Sequence, residues 1–400
     1  MAAPERLFSR DFILFNLIFF VASTATAIFF QFHRYLSFLG IPEGWSGFII
    51  AADAIPALIL QPLLGAFLNN NNARRWMFGG VTCMIAALLS YGFATTVTAL
   101  IAVRIFQGAG FACLIAAMMV LMVNYIPSQK SGTAFGIVST IRLLPYALIP
   151  PLMSGYFKAP QDFSKALTYS VLPMVLSLMA VLLLKSPDIL PEGPGPRQSI
   201  NKRELLEDLK DRRVSIVLVI NLLLYSGYTT VFFFLEGYDR KMGIENPGLF
   251  FTIATMTMIG VRVFGSTLFD KINKVYLTLW SMAGLVVCYA ALPLTSFYGF
   301  FYILAFFTGL GWGIVMPVLN ALMFEVSAPP FRGLNLNLSL VMMQGGFFVG
   351  PFLGGLVHGW WGYNMLFYFC ASLSLLSAVF TWRLLHQVNE SDKSGQGRPA

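Results

Sequence analysis

One aspartate and three arginines stand inside long apolar stretches of this chain, where an ionisable side chain is costly. Asp53, Arg104, Arg142 and Arg262 fall within runs otherwise dominated by Ala, Leu, Ile, Val, Phe, Gly and Met. A charge at mid-bilayer costs about 2.5–3.5 kcal/mol on insertion scales, and acids placed there commonly serve as proton relays or meet a charged ligand. Counted from the outer surface at 1.5 Å per residue, Asp53 and Arg104 lie roughly 13 and 9 Å deep, so they could pair. Arg142, near mid-depth, is a second possible partner for Asp53 or for an anionic substrate. Arg262 is expected to brace the inner end of its helix. Gln31, Asn320 and Gln344 add neutral hydrogen-bonding groups within apolar runs. Glu236 is also a candidate, although with Arg240 four residues on it fits a surface i,i+4 pair. His33 reads as a solvated histidine at the membrane boundary.

The elements that must hold these groups follow from composition. Of 400 residues, 57% are hydrophobic and 11% charged, with a mean hydropathy of +0.72. That is more apolar surface than a soluble core can hide, so lipid is the solvent for much of the chain. A span needs about 20 apolar residues. Twelve runs approach that length: 11–36, 44–68, 76–95, 98–124, 131–157, 164–184, 213–239, 247–269, 275–294, 297–325, 332–358 and 362–385, referred to below as spans 1 to 12. Backbone groups in hydrocarbon must bond internally, and the runs lack the period-two alternation of a membrane barrel, so the spans are helices.

The two halves repeat. Gly65 and Ser266 open equivalent loops after spans 2 and 8, and the same offset of 201 relates Gly108 to Gly309, Gly110 to Gly311, Gly132 to Gly333 and Pro150 to Pro351. The expected fold is an all-α membrane protein of twelve transmembrane helices in two pseudo-symmetric six-helix bundles, residues 1–185 and 213–388. Between them, 186–212 forms a cytoplasmic linker, rich in Pro and Gly at first and then carrying a short amphipathic helix from Asn201. A polar tail of residues 389–400 is expected to be disordered.

The formal charge of +8 does not point to nucleic acid, because Lys and Arg gather in alternate connections. With both termini in the cytoplasm, 18 basic residues lie inside and 5 outside, which is the positive-inside pattern of a cytoplasmic (inner) membrane protein. The four cysteines sit singly on four spans and read as small buried residues. Arg6 and Arg10 before an apolar stretch, with Ala25-Thr26-Ala27, have the form of a cleavable leader. Cleavage would leave an odd number of spans, so this stretch is expected to stay as span 1. Metal-ligand spacing, a nucleophile elbow and a phosphate loop are absent, and Gly108-Ala109-Gly110 lies within a span rather than after a strand. No cofactor, metal or enzymatic activity is expected.

Span 4 reads Arg104-Ile105-Phe106-Gln107-Gly108-Ala109-Gly110, and span 11 contains Gly346-x-x-x-Gly350-Pro351-x-x-Gly354-Gly355. With the duplicated loop motif, Pro127 and Gly132 before span 5, and the long central linker, the chain resembles the major facilitator superfamily over nearly its whole length. The resemblance implies a central cavity lined mainly by spans 1, 4, 7 and 10, opening alternately to each side. It also implies a cytoplasmic latch at the loop after span 2, where the family carries an acid and this chain has Asn69. The copy after span 8 keeps Asp270, followed by Lys271. The implied gate residues are Gly65, Asn69, Arg74, Arg262, Asp270, Lys271, Glu325 and Arg332, with Asn69 facing Arg332 and Gly333, and Asp270 facing Ser131 and Gly132.

By that resemblance the expected function is proton-coupled efflux of a small organic solute, by a monomer whose partners are that solute, protons and the lipid bilayer. In many exporters of the family the arginine corresponding to Arg104 is linked to proton transfer. Two alternatives stand beside it: an uptake symporter for an organic anion, using Arg104 and Arg142 as counter-charges, and a membrane sensor that no longer transports. The Gly-Pro pattern that marks antiporters of the family belongs in span 5, whereas here it stands in span 11.

Overall fold

Pro56 and Gly362 punctuate two of the long apolar helices, and their placement organises the architecture. In the computed structural model, residues 8–125, 131–184 and 211–395 are described, apart from 242, 244, 245, 247 and 296. Among the described residues every regular element is helical. Span 1 runs as Arg10–Ala27, a 3₁₀ turn Ile28–Gln31, and Phe32–Phe38; span 2 as Glu43–Ala51 and Ala54–Phe67. Spans 3 to 6 are Ala73–Ser90, Val97–Tyr125, Ser131–Tyr156 and Pro160–Leu183. Spans 7 to 10 are Arg212–Lys241, Gly248–Lys271, Lys274–Ala291 and Tyr298–Val326.

A last helical segment, Arg332–Gly395, is interrupted at Gly362, whose φ of 78° and ψ of −174° are not helical. A positive φ suits glycine because it has no Cβ to clash. The segment therefore turns there and supplies spans 11 and 12. Ten helices among the described residues are long and apolar enough to cross a membrane. Twelve segments result when Leu334–His386 is divided at Gly362 and Ala73–Ser90, which is not one of the ten, is added. At the C-terminus the helix continues to Gly395, past the expected start of a disordered tail at 389. No glycine or proline interrupts 389–394, so nothing in that stretch stops the helix before Gly395. The linker helix expected from Asn201 lies outside the described residues.

The duplication is legible in the helix ends. Ala73–Ser90 and Lys274–Ala291 are related by 201 at both termini, as are Val97–Tyr125 and Tyr298–Val326. The apolar core accordingly divides in two. One part is drawn almost wholly from residues 12–184, the other almost wholly from 214–385. Phe30 is the exception from the first half: it packs in the second core, its ring 5.1 Å from Phe251 and 5.9 Å from Phe232.

Contacts between the halves follow the same symmetry. Span 2 packs on span 11 and span 8 on span 5. At the first interface a Cβ at Gly47 would collide with the Pro351 carbonyl; at the second, one at Gly248 would collide with Pro150. Gly47 and Gly248, and Pro150 and Pro351, are 201 apart, so one contact is made twice with the halves exchanged. Both lie at the end of the molecule that carries the 39–42 loop. Polar ties reinforce the second: the Thr252 hydroxyl donates to the Ala147 carbonyl at 2.7 Å, and the Gly248 amide to Ser154 Oγ at 3.2 Å.

Candidate functional site

The site begins with a break in span 2. Pro56 has no amide hydrogen, and its ring crowds the carbonyl four residues back, on Ala52. That carbonyl is taken by Ile55 instead, at 3.3 Å, and Ala52 and Asp53 form a turn between two helical pieces. Proline is tolerated at Pro56 because it stands in the first turn of the second piece, where amides lack intrahelical partners.

Arg104 supplies what the broken helix lost. Its side chain is 1% exposed; it donates to the Ile50 carbonyl at 2.7 Å and to the Ile49 carbonyl at 3.4 Å, and pairs with Asp53 Oδ1 at 2.8 Å. The guanidinium also lies over the Phe29 and Phe32 rings, 4.7 and 5.0 Å from their centroids. Gln107, one turn on, accepts from Arg104 at 3.4 Å and from the Tyr91 hydroxyl at 2.6 Å. Gly108 lets span 4 lie directly on the Asp53 backbone, where any Cβ would collide with the Asp53 carbonyl. The Arg-x-x-Gln-Gly motif is thus one structural unit: fork, acceptor and close approach.

The other half keeps the packing and lacks the charges. Gly309 lies on Ala254 as Gly108 lies on Asp53. At the 201 offset, Ala254 replaces Asp53 and Ala305 replaces Arg104. The fold therefore forms this helix contact without an ion pair, and the charged version is an addition to the first half.

Between the halves is a cavity of about 410 Å³ lined by spans 1, 2, 4, 5, 7, 8, 10 and 11. The Asp53 side chain, 32% exposed, reaches it beside Gln107, while Arg104 sits behind. Arg142 and Arg262 line it from spans 5 and 8, with Ser139, Tyr146, Tyr225, Tyr228 and Gln344. The remaining wall is largely apolar and soft, including Phe19, Phe111, Phe347 and five methionines at 119, 122, 258, 316 and 343. Arg262 donates to Ser139 Oγ at 2.6 Å across the two halves, and Arg142 lies 5.9 Å from the Phe19 centroid. Among the described residues, neither arginine has a carboxylate within 4 Å.

The cavity is closed at the end carrying the 39–42 loop. Beyond the Gly47 and Gly248 contacts, Glu43 lies 3.2 Å from His33 Nε2 and 3.8 Å from His358 Nε2, joining spans 1, 2 and 11. Arg34 and Glu236 join span 1 to span 7 at 3.5 Å.

Several expectations are corrected. Arg262 does not merely brace its own helix; it faces the cavity and reaches span 5. Glu236 is not at the surface; it is 2% exposed and pairs with Arg34 of the other half at 3.5 Å, while the Arg240 side chain lies outside the described residues. His33 is 4% exposed and packed against Phe234 rather than solvated. Of the two partners expected for Asp53, Arg104 is the one that pairs with it, at 2.8 Å. Asn320 is exposed and absent from the cavity wall, whereas Gln344 is on it. Gln31 is fully buried where the 3₁₀ turn of span 1 meets its next helix.

Of the expected gate residues, Asn69 accepts from the Asn71 and Asn72 amides and so closes its own loop. Arg74 donates to the Val181 and Leu182 carbonyls at the end of span 6. Glu325 pairs with Lys274 at 2.6 Å, and Arg332 lies over Phe324 at 4.2 Å. The side chains of Gly65, Asp270, Lys271, Ser131, Gly132 and Gly333 lie outside the described residues. Sequence reading missed Ser139, Tyr91, Glu43 and His358. Nothing in their spacing marks them, since each is defined by a partner on a different helix.

Two related helical halves around a mixed polar and apolar cavity, closed at one end by mirrored contacts, define a membrane transporter. The family model of the Major Facilitator Superfamily matches residues 12–329 and 274–399, and the chain belongs to that family. It is 25% identical over 370 residues to the multi-drug resistance efflux pump PmrA of Streptococcus pneumoniae serotype 4, covering 86% of this chain and 88% of that protein. It is 21% identical over 363 residues to the multidrug resistance protein MdtG of Proteus mirabilis, covering 87% and 89%. The fold is similar to that of the nucleoside transporter NupG, with a TM-score of 0.77, 13% identity and coverage of 94% and 98%. It is also similar to a D-xylose-proton symporter, with a TM-score of 0.73, 14% identity and coverage of 94% and 97%.

Proposed function

We propose that the protein is a secondary active transporter that exports a small organic solute across the cytoplasmic membrane by alternating access, with Asp53 as the proton-coupling group. The observation that carries this reading is the asymmetry of the repeated contact: Asp53 and Arg104 in one half, Ala254 and Ala305 in the other. An ion pair that the fold does not require, placed beside a cavity between two movable halves, is suited to coupling. The resemblance to efflux pumps in two species supports export. With the termini in the cytoplasm, as the basic residues favour, the closed end is the outer one and the cavity belongs to the cytoplasmic side.

A second reading, uptake of an organic anion with a proton, is favoured by Arg142 and Arg262 on the cavity wall, neither of which has a carboxylate within 4 Å among the described residues. Both readings are tested in proteoliposomes with an imposed pH gradient and a panel of organic cations, anions and neutral solutes. Export by exchange predicts solute movement opposite to protons; uptake predicts movement with them. Either requires that Asp53→Asn and Arg104→Gln abolish the coupling. Solute-dependent proton flux that survives in both variants would exclude these residues from the mechanism.

A further inference from the structure

Resting on the reading of this cavity as the cargo site, we infer that the cargo is an organic anion whose acidic head sits between Arg142 and Arg262. The charge on the wall is the first ground. Among the described residues the wall carries one carboxylate, Asp53, and two guanidiniums, Arg142 and Arg262; with Arg104 behind Asp53 the formal charge of the group is +2. Asp53 is already engaged by Arg104 at 2.8 Å. Arginine cannot shed its proton at any accessible pH, so the excess charge cannot be titrated away.

The unused hydrogen-bonding capacity is the second ground. The Arg262 Nε is buried without an acceptor, and that guanidinium's other polar contacts are the Ser139 hydroxyl and the Met316 sulfur at 3.9 Å. Arg142 lies over the Phe19 ring and, among the described residues, has no carboxylate within 4 Å. The two arginines belong to spans 5 and 8, on opposite halves, and bring like charge to the wall of one cavity. A carboxylate or similar oxyanion between them would accept from both forks and offset that charge. A cationic cargo would enter the same field without a free acid to meet it. Methionine and aromatic side chains over the rest of the wall suit an apolar, ring-sized body, since thioethers adapt to varied shapes and pack well against rings.

Because the arginines come from different halves, an anion bridging them would also bind best when spans 5 and 8 are apposed. The acidic head thus acts as the clamp that draws the halves together.

The test is calorimetric titration of the purified protein with three compounds that share one ring system: 2-naphthoate, 2-naphthamide and 2-naphthylmethylammonium. Naphthoate is expected to bind about tenfold or more tightly than the amide, as charge-assisted hydrogen bonds require, with the ammonium weakest. Arg142→Gln and Arg262→Gln should each bring naphthoate toward the amide's affinity, and amide binding that persists in the variants reports a folded cavity. Arg142→Lys should retain part of the preference. Equal binding of the three, preference for the ammonium, or an anion preference that survives both glutamine variants would overturn the inference. If none of the three binds, the cargo-site reading fails and the inference falls with it. If naphthoate binds selectively yet is never transported, transport alone is refuted.

Discussion

Gly47 and the Pro351 carbonyl touch across the two halves, and with the halves exchanged at the 201 offset Gly248 touches Pro150 in the same way. The closure at this end is therefore two copies of one backbone contact, with no room for a side chain. Substituting Gly47→Leu should wedge it open, and Gly248→Leu should do the same from the other side. The measurement is labelling of a cysteine at Ser23, in the cavity, by a membrane-impermeant reagent applied from outside, with the four native cysteines removed. Both variants should label faster than the parent, while Gly44→Ala, whose Cβ meets nothing within 4 Å, should not. Slow labelling in both leucine variants would mean that this contact does not control access.

The Arg104 unit makes a prediction about stability. Removing one partner of a buried pair typically costs about 3–5 kcal/mol, because the other charge is stranded, and the cost is smaller here because the Asp53 side chain is 32% exposed. Arg104→Ala should therefore lower the thermal unfolding temperature clearly. The double variant Asp53→Ala, Arg104→Ala recreates the Ala254 and Ala305 arrangement of the other half and should be more stable than Arg104→Ala alone, yet inactive in transport. Scanning fluorimetry with flux assays checks both; a double variant less stable than the single one would show that the pair is needed for folding.

Asp53→Asn should strengthen binding of 2-naphthoate, because it removes the one negative charge that competes with the anion for the arginines. The expected gain is a few-fold, since the carboxylate is already paired with Arg104 and is partly screened in the cavity. Calorimetry under the same conditions decides: weaker binding would place the anion elsewhere.

Glu43 joins His33 and His358 across the same closed end. Replacing it with Gln should raise the outer labelling rate at Ser23 by a smaller factor than Gly47→Leu, because Glu43 is 44% exposed and such pairs contribute about 1 kcal/mol or less. Labelling faster than in the leucine variant would make the ionic contact, not the backbone one, the principal closure.

The sequence shows the class of fold and the duplication because both are written as local pattern: apolar runs of spanning length, and Gly and Pro recurring at 201. It shows the Asp53–Arg104 pair because depth along two helices can be counted. It does not show which half a side chain faces. Arg262 and Glu236 look local to their own helices in sequence, whereas their partners, Ser139 and Arg34, lie on the other half. The 3₁₀ turn at Ile28–Gln31 was equally hidden, as no proline or glycine marks it. It adjoins Phe30, whose packing in the opposite core is a tertiary demand that local sequence does not record.

The central claim is that the halves move as two bodies about the cavity. Spin labels at Phe38 and Phe297, exposed residues at the outer ends of opposite halves, report it most directly when paired by electron resonance distance measurement. A second pair, Phe38 and Phe93, lies within one half. The account predicts that the Phe38–Phe297 distance divides into two populations whose balance shifts with pH and added organic anion, while Phe38–Phe93 stays single. One fixed distance between the halves under all conditions, or a change confined to the pair within one half, would contradict it.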